Sequence, residues 1–167
     1  MSSAQIMVVE DEWAVADDLK LILQSLGYTV TSVSSSGEEA IQKAEEGKPD
    51  LVLMDIVLEG EMDGIEAANQ IRSCYDIPIV YLTAYTDEKI LERASITGPF
   101  GYIVKPFINE DLKISIEIAL YKHRVEKERK RLVQELQGAL PRITTLSGLL
   151  PICPSCKKIR DAKGDWK

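Results

Sequence analysis

The stretch LVLMDIVLEGEMDG, residues 51–64, runs four apolar residues straight into a carboxylate, Asp55. A run this short and this apolar reads as a buried strand. A surface acid needs no such approach, whereas a reactive one does. Four further runs of the same kind occur in the first 120 residues: QIMVV (5–9), YTVTSV (28–33), IPIVYL (77–82) and GYIV (101–104). Their apolar character predicts strands buried on both faces, as in a parallel sheet.

Helical patterns separate the runs. Leu19, Ile22, Leu23 and Leu26 recur at i, i+3, i+4, i+7 and end at Gly27. A second pattern covers 37–46, closed by Gly47 and Pro49. A third, 64–73, carries Ile65, Ala68 and Ile71. A fourth, 87–96, carries Ile90, Leu91 and Ala94. The fifth opens with Asn109 as N-cap and Glu110 and Asp111 in its first turn. Five strand–helix pairs with short links predict a doubly wound α/β domain over 1–120: a flavodoxin-like, five-stranded parallel sheet of order 2-1-3-4-5.

Composition excludes several classes. Apolar residues make up 45% of the 167, enough for a sizeable core. No apolar run approaches the roughly 18 residues of a membrane span. The start, MSSAQIMVVEDE, lacks the basic flank of a signal peptide, so a soluble cytoplasmic protein is expected. Residues 1–120 hold 8 basic and 22 acidic side chains, a net charge of −14, which disfavours nucleic acid. Residues 121–167 hold 12 and 5, a net of +7. No DNA-binding helix-turn-helix is evident there.

The fifth helix is expected to extend past 120. Ile118, Val125, Leu132, Ala139 and Leu146 fill one heptad position, and Lys122, Arg129, Leu136, Ile143 and Leu150 the other. That spacing describes a coiled-coil seam, weak in its first half, over an extension at 121–140. Packing on the surface of its own domain is the alternative. Pro141 is expected to break or kink the helix and begin a short tail, 141–167. In that tail Cys153 and Cys156 form one C-x-x-C. Structural zinc needs four ligands, and Cys74 is expected buried in or near the third helix, so the pair alone is a weak metal signal.

Ligands in open α/β sheets bind beyond the carboxyl ends of the strands. Glu10, Asp11 and Glu12 stand at the first such end, Asp55 at the third, Thr83 at the fourth, and Lys105 after the fifth. Clustered carboxylates repel and call for a cation. Mg²⁺ takes oxygen ligands, which Glu10 or Asp11, Asp55 and the backbone carbonyl of Val57 would supply. With Lys105 and Thr83 directed at phosphoryl oxygens, Asp55 becomes a nucleophile that forms an aspartyl phosphate. Taken singly, each residue has a plain structural reading: helix N-terminal charge, a strand-end hydroxyl, a solvated lysine. Only the combination points to chemistry.

The pieces VVEDE, LVLMDI, MDGIEAA, PIVYLTA and GYIVKPF together resemble the receiver domain of two-component response regulators, over about residues 5–122. The resemblance implies Mg²⁺ on Glu10 and Asp11, phosphorylation of Asp55 by a sensor histidine kinase or phosphotransfer protein, and hydroxyl and lysine roles for Thr83 and Lys105. It also implies a switch aromatic at Tyr102 and a cis bond before Pro106. The pattern departs from the family after Asp55. The loop IVLEGEMDG lacks the family's usual Met-Pro and is one residue longer, with Gly60 expected to make the turn. Val57 and Tyr85, two positions past Asp55 and Thr83, are poor positioners of water, so slow self-dephosphorylation is expected.

The expected function is a phosphorylation-dependent signalling switch without catalysis on external substrates. A homodimer is expected through the helix 4–strand 5–helix 5 face and the C-terminal helix. Two alternatives use the same residues: a Mg²⁺-dependent small-molecule phosphatase, which would need an acid/base and a substrate cap, and an unphosphorylated docking module. Elsewhere, Gly64 and Gly101 read as turn and strand-start residues. Trp13 is expected on the site rim, Phe107 beneath the fifth helix, and His123, the single histidine, on a solvated face.

Overall fold

Local sequence periods translate directly into two layers of core. The computed structural model describes residues 3–84 and 88–147, with side chains to 138. In chain order the elements are β1 (Gln5–Val9), α1 (Trp13–Ser25), β2 (Thr29–Ser34), α2 (Gly37–Gly47), β3 (Leu51–Asp55), α3 (Gly64–Tyr75), β4 (Ile79–Thr83), α4 (Glu88–Ile96), β5 (Gly101–Val104) and α5 (Asn109–Ser147). The five strands are all parallel, in the order β2-β1-β3-β4-β5. Alternate residues of each central strand serve opposite layers. Ile6, Val8, Leu51 and Leu53 pack with Leu19 and Leu23 of α1 and Leu112, Ile116 and Ala119 of α5. Met7, Val9, Val52 and Met54 pack with Ala40 and Ala44 of α2, Ile65, Ala68 and Ile71 of α3, and Ala94 of α4. Each fully buried aliphatic side chain contributes about 1.5–3 kcal/mol.

Burial on both faces holds for the central strands β1, β3 and β4 but not for β2 and β5. Those two lie at the sheet edges, where Thr29, Thr31, Tyr102 and Val104 stay exposed. The helix ends carry the expected chemistry with local shifts. After α1, Gly27 takes φ +89 while its N–H bonds the carbonyl of Gln24 and that of Tyr28 bonds Leu23, a Schellman stop. At the end of α2 the left-handed residue is Lys48 (φ 41), one place beyond Gly47. Asp63 caps α3 in a reciprocal box with Glu66. Asn109 is the first helical residue rather than the cap, since the Ile108 carbonyl already accepts from the Leu112 N–H.

Three further expectations are corrected. The helix does not stop at Pro141: α5 runs on to Ser147. Proline removes one N–H donor, and the ladder bonds on either side remain to carry the helix. Cys74 is exposed, because the last turn of α3 turns Tyr75, not Cys74, against the core. His123 is not solvated: its side chain is only 19% exposed, edge-on to the Phe100 ring at 5.6 Å. Its Nε2 lies 3.8 Å from an Asp76 carboxylate oxygen. Phe107 packs with the α5 layer, as expected.

The chain divides into two compact units, Met1–Arg124 and Val125–Lys167. In the second, Lys130–Glu126, Arg131–Glu128 and Arg131–Glu135 pair at helical spacing at 3.6, 2.7 and 3.8 Å. Such exposed pairs contribute only tenths of a kcal/mol each. Val125, Leu132 and Leu136 of the expected seam are exposed. Tyr85, Cys153 and Cys156 lie outside the described residues. Among the described residues no helix is long and apolar enough to cross a membrane.

Candidate functional site: an acidic pocket at the carboxyl edge of the sheet

Strand pairing brings the acids together. Val9 of β1 pairs with Met54 of β3, so the next residues, Glu10 and Asp55, emerge side by side. The N–H of Glu10 bonds the Ser34 carbonyl, which keeps the end of β1 in the sheet. Asp55 pairs with Leu82 and Thr83 with Val104. The Lys105 N–H bonds the Thr83 carbonyl at 2.8 Å and aligns the lysine with the same edge. The Lys105–Pro106 peptide is cis.

Lys105 reaches back over the sheet. Its Nζ donates to Asp55 Oδ2 at 2.6 Å and to Glu10 Oε2 at 2.7 Å. Asp55 and Thr83 are buried, at 6% and 7% exposure, and Glu10 almost completely so. Burial raises the Glu10 carboxyl to about 7; the Lys105 hydrogen bond opposes the rise, and the nearby Asp55 charge adds to it. Burial by itself would lower Lys105, but hydrogen bonds and charge from Asp55 and Glu10 outweigh it and raise its pKa. The ammonium therefore stays charged at any physiological pH. Backbone donors hold the acids as well: Glu12 N–H to Glu10, Val57 N–H to Asp55, and Glu59 N–H to Asp11.

These groups line an open cavity of about 380 Å³ that also takes in Glu12, Ile56, Val57, Glu59, Ala84 and Ile90. Carboxylate oxygens of Glu10, Asp11 and Asp55 lie within 4.8 Å of one another. This donor set is all oxygen and carries more negative charge than one lysine offsets, so it suits a hard divalent cation. The sequence-derived group of Glu10, Asp11, Asp55, Val57, Thr83 and Lys105 is thus assembled around one cavity. Tyr102 stands apart from it, 38% exposed, its ring 5.8 Å from that of Tyr81. Trp13 is 80% exposed and is not among the residues that line the cavity.

Two contributors escaped the sequence reading. Gly64 is not a turn glycine but the first residue of α3: a Cβ there would stand 1.8 Å from the Asp55 carbonyl oxygen. Only glycine lets the helix start so close to the strand end. Its place in MDGIEAA was the available signal. The Glu59 N–H was the other, and the missing proline in the loop was its signal. Gly60 makes the expected turn, at φ +129.

A sheet of this order, with three acids and one lysine converging beyond its carboxyl edge, is the architecture of a phosphoacceptor switch. Residues 6–117 match the response regulator receiver domain, and the chain belongs to that family. It therefore contains the phosphorylation-dependent switch module of two-component signalling. It is similar to the transcriptional regulatory protein PdtaR of Mycobacterium tuberculosis, 40% identical over 120 residues, covering 72% of this chain and 58% of the relative. Among solved structures it resembles the signal receiver domain of a modulated diguanylate cyclase from Desulfovibrio desulfuricans G20, with TM-score 0.72 and 38% identity over 75% of this chain and 99% of that one. The receiver domain of the sensor histidine kinase PA1611 from Pseudomonas aeruginosa gives TM-score 0.65 and 30% identity over 71% and 98%. That structure has a magnesium ion coordinated in its active-site cleft. The chain spans about three fifths of the length of the PdtaR relative.

Proposed function

We propose that Asp55 accepts a phosphoryl group from a phosphohistidine on a sensor kinase or phosphotransfer protein. The observation that carries this is the Lys105 ammonium, held at 2.6 Å from Asp55 beside an open cavity. An Asp55 carboxylate oxygen attacks phosphorus; the new O–P bond forms as the N–P bond breaks, and the imidazole keeps the electron pair. Lys105 exchanges its hold on the carboxylate for a phosphoryl oxygen, and the Thr83 hydroxyl donates to another. Glu10, Asp11, Asp55 and the Val57 carbonyl would hold Mg²⁺, which when bound neutralises charge on the phosphoryl oxygens.

Thr83 is then drawn toward the phosphoryl group, and Tyr102 repositions beside it. That change alters the α4–β5–α5 face, where Ile96, Val104, Ile114 and Ile118 are exposed. A second copy of the chain is the partner proposed for this face, with the helix beyond 120 prolonging the contact as a coiled coil. The kinase side docks at the cavity mouth, where Val57 is 64% exposed. Hydrolysis of the aspartyl phosphate is slow in this reading, because Val57 offers no polar side chain to orient water. The output beyond residue 120 is a separate matter from the switch itself.

The test is intact-mass measurement after exposure to acetyl phosphate and Mg²⁺. Wild type gains one phosphoryl group and Asp55→Asn gains none. An unmodified wild type, or a modified Asp55→Asn, overturns the assignment. Size measurement of the same samples tests the dimer.

A further inference from the structure

The loop between β3 and α3 does more than connect. Its alternate N–H groups point at two different acids: Val57 to Asp55 Oδ1 at 3.1 Å, and Glu59 to Asp11 Oδ2 at 2.9 Å. The second bond joins residues 48 apart in sequence. It matters because of what Asp11 otherwise lacks. Glu10 and Asp55 are buried and gripped by Lys105. Asp11 is only half-buried, and among the described residues its carboxylate takes no ion pair. An aspartate χ2 is broad and roughly two-fold, so an untethered carboxylate turns readily. The Glu59 N–H engages one of its oxygens and leaves the other for a cation.

The bond depends on a particular backbone. Proline at 59 would have no N–H to give. Gly60 follows at φ +129, a conformation that glycine adopts at little cost, and its turn lets the loop bend over the acids. Leu58 is buried at 7% exposure in the layer beneath α3 and anchors the loop between the two donors.

We propose that the Glu59 backbone amide is a positioning group that sets the Asp11 carboxylate for a divalent cation. This rests on the reading of the pocket as a Mg²⁺ site and names the loop residue that tunes it. The comparison is Glu59→Pro against Glu59→Ala: both lose the side-chain carboxylate that lines the cavity, and only the first loses the N–H. Mg²⁺ titration by calorimetry should show Glu59→Pro binding on the order of tenfold more weakly than Glu59→Ala, the scale expected when a metal ligand loses its orienting hydrogen bond. Equal affinities overturn the proposal.

A second measurement needs neither metal nor proline. In metal-free wild type, hydrogen exchange at the Glu59 amide should be slowed relative to Glu61, and Asp11→Ala should abolish that protection while leaving protection at Val57. A Glu59 amide that exchanges at the same rate in both proteins overturns the proposal even if Glu59→Pro fails to fold. Wild type that shows the protection but binds no Mg²⁺ separates the two claims: the bond stands, and the reading of the pocket as a cation site fails.

Discussion

Replacing Lys105 by methionine keeps the aliphatic stem and removes the ammonium that pairs with Glu10 and Asp55. Two contacts are lost, of 2.7 and 2.6 Å, to partners whose side chains are 1% and 9% exposed. Removing one partner of a buried ion pair costs about 3–5 kcal/mol. The lysine itself is 23% exposed, which places the loss near the low end, about 3 kcal/mol at pH 8. The loss depends on pH, with a definite sign. The Glu10 carboxyl is raised from 4.5 to about 7, so the folded protein binds more protons than the unfolded chain between those values. Stability therefore falls as pH rises through that window, and the penalty is absent below it. Without Lys105 the opposing hydrogen bond disappears, and the window extends upward. At pH 5.5 Glu10 is protonated, so its share of the stranded charge disappears and the deficit should be smaller than at pH 8. Lys105 stays protonated in the wild type at both pH values, because its own pKa is raised. Urea unfolding of both proteins at pH 5.5 and 8.0 measures the difference. Equal deficits at the two pH values would refute the reasoning, since they would mean that the Glu10 carboxyl does not titrate between them.

Apparent Mg²⁺ affinity should rise by up to about tenfold per pH unit below 7 and level off above it, as the cation displaces a proton from Glu10; calorimetric titration between pH 5.5 and 8.5 checks this, and a flat profile removes Glu10 from the ligand set. Gly64→Ala should destabilise by about 3 kcal/mol in chemical denaturation, because its Cβ would meet the backbone oxygen of Asp55, which has no rotamer with which to move away. Tyr81→Phe removes a buried hydroxyl that shares a 2.9 Å hydrogen bond with Thr97, where burial has pushed its pKa up to about 12; a loss of about 1 kcal/mol is expected, with no change in phosphorylation of Asp55.

Much of the site was legible because strand chemistry is local. An apolar run with a polar end marks where a strand leaves the core, and the doubly wound topology collects those ends on one edge. Glu10, Asp11, Asp55, Thr83 and Lys105 needed no more than that. The strand order made the prediction sharp, since β1 beside β3 is what sets Glu10 next to Asp55. The failures share a cause. Cys74 and His123 were assigned an environment from their own helix, but exposure depends on what lies opposite: Cys74 is left exposed, while the Phe100 ring lies against His123. Edge strands were misjudged for the same reason, because an apolar run does not state how many neighbours it will have.

The sequence by itself determined the alternation of strands and helices, the apolar periods that sort residues into two layers, and the acids and lysine at the strand ends. These follow from backbone geometry that repeats every two or 3.6 residues, so a short window of residues suffices to read them. Only the tertiary structure decided that Gly64 lies against the Asp55 carbonyl, that the Glu59 amide grips Asp11, and that one ammonium bridges Glu10 and Asp55. Those are contacts between groups distant in sequence or set by a loop's path, and their geometry exists only once the sheet has assembled.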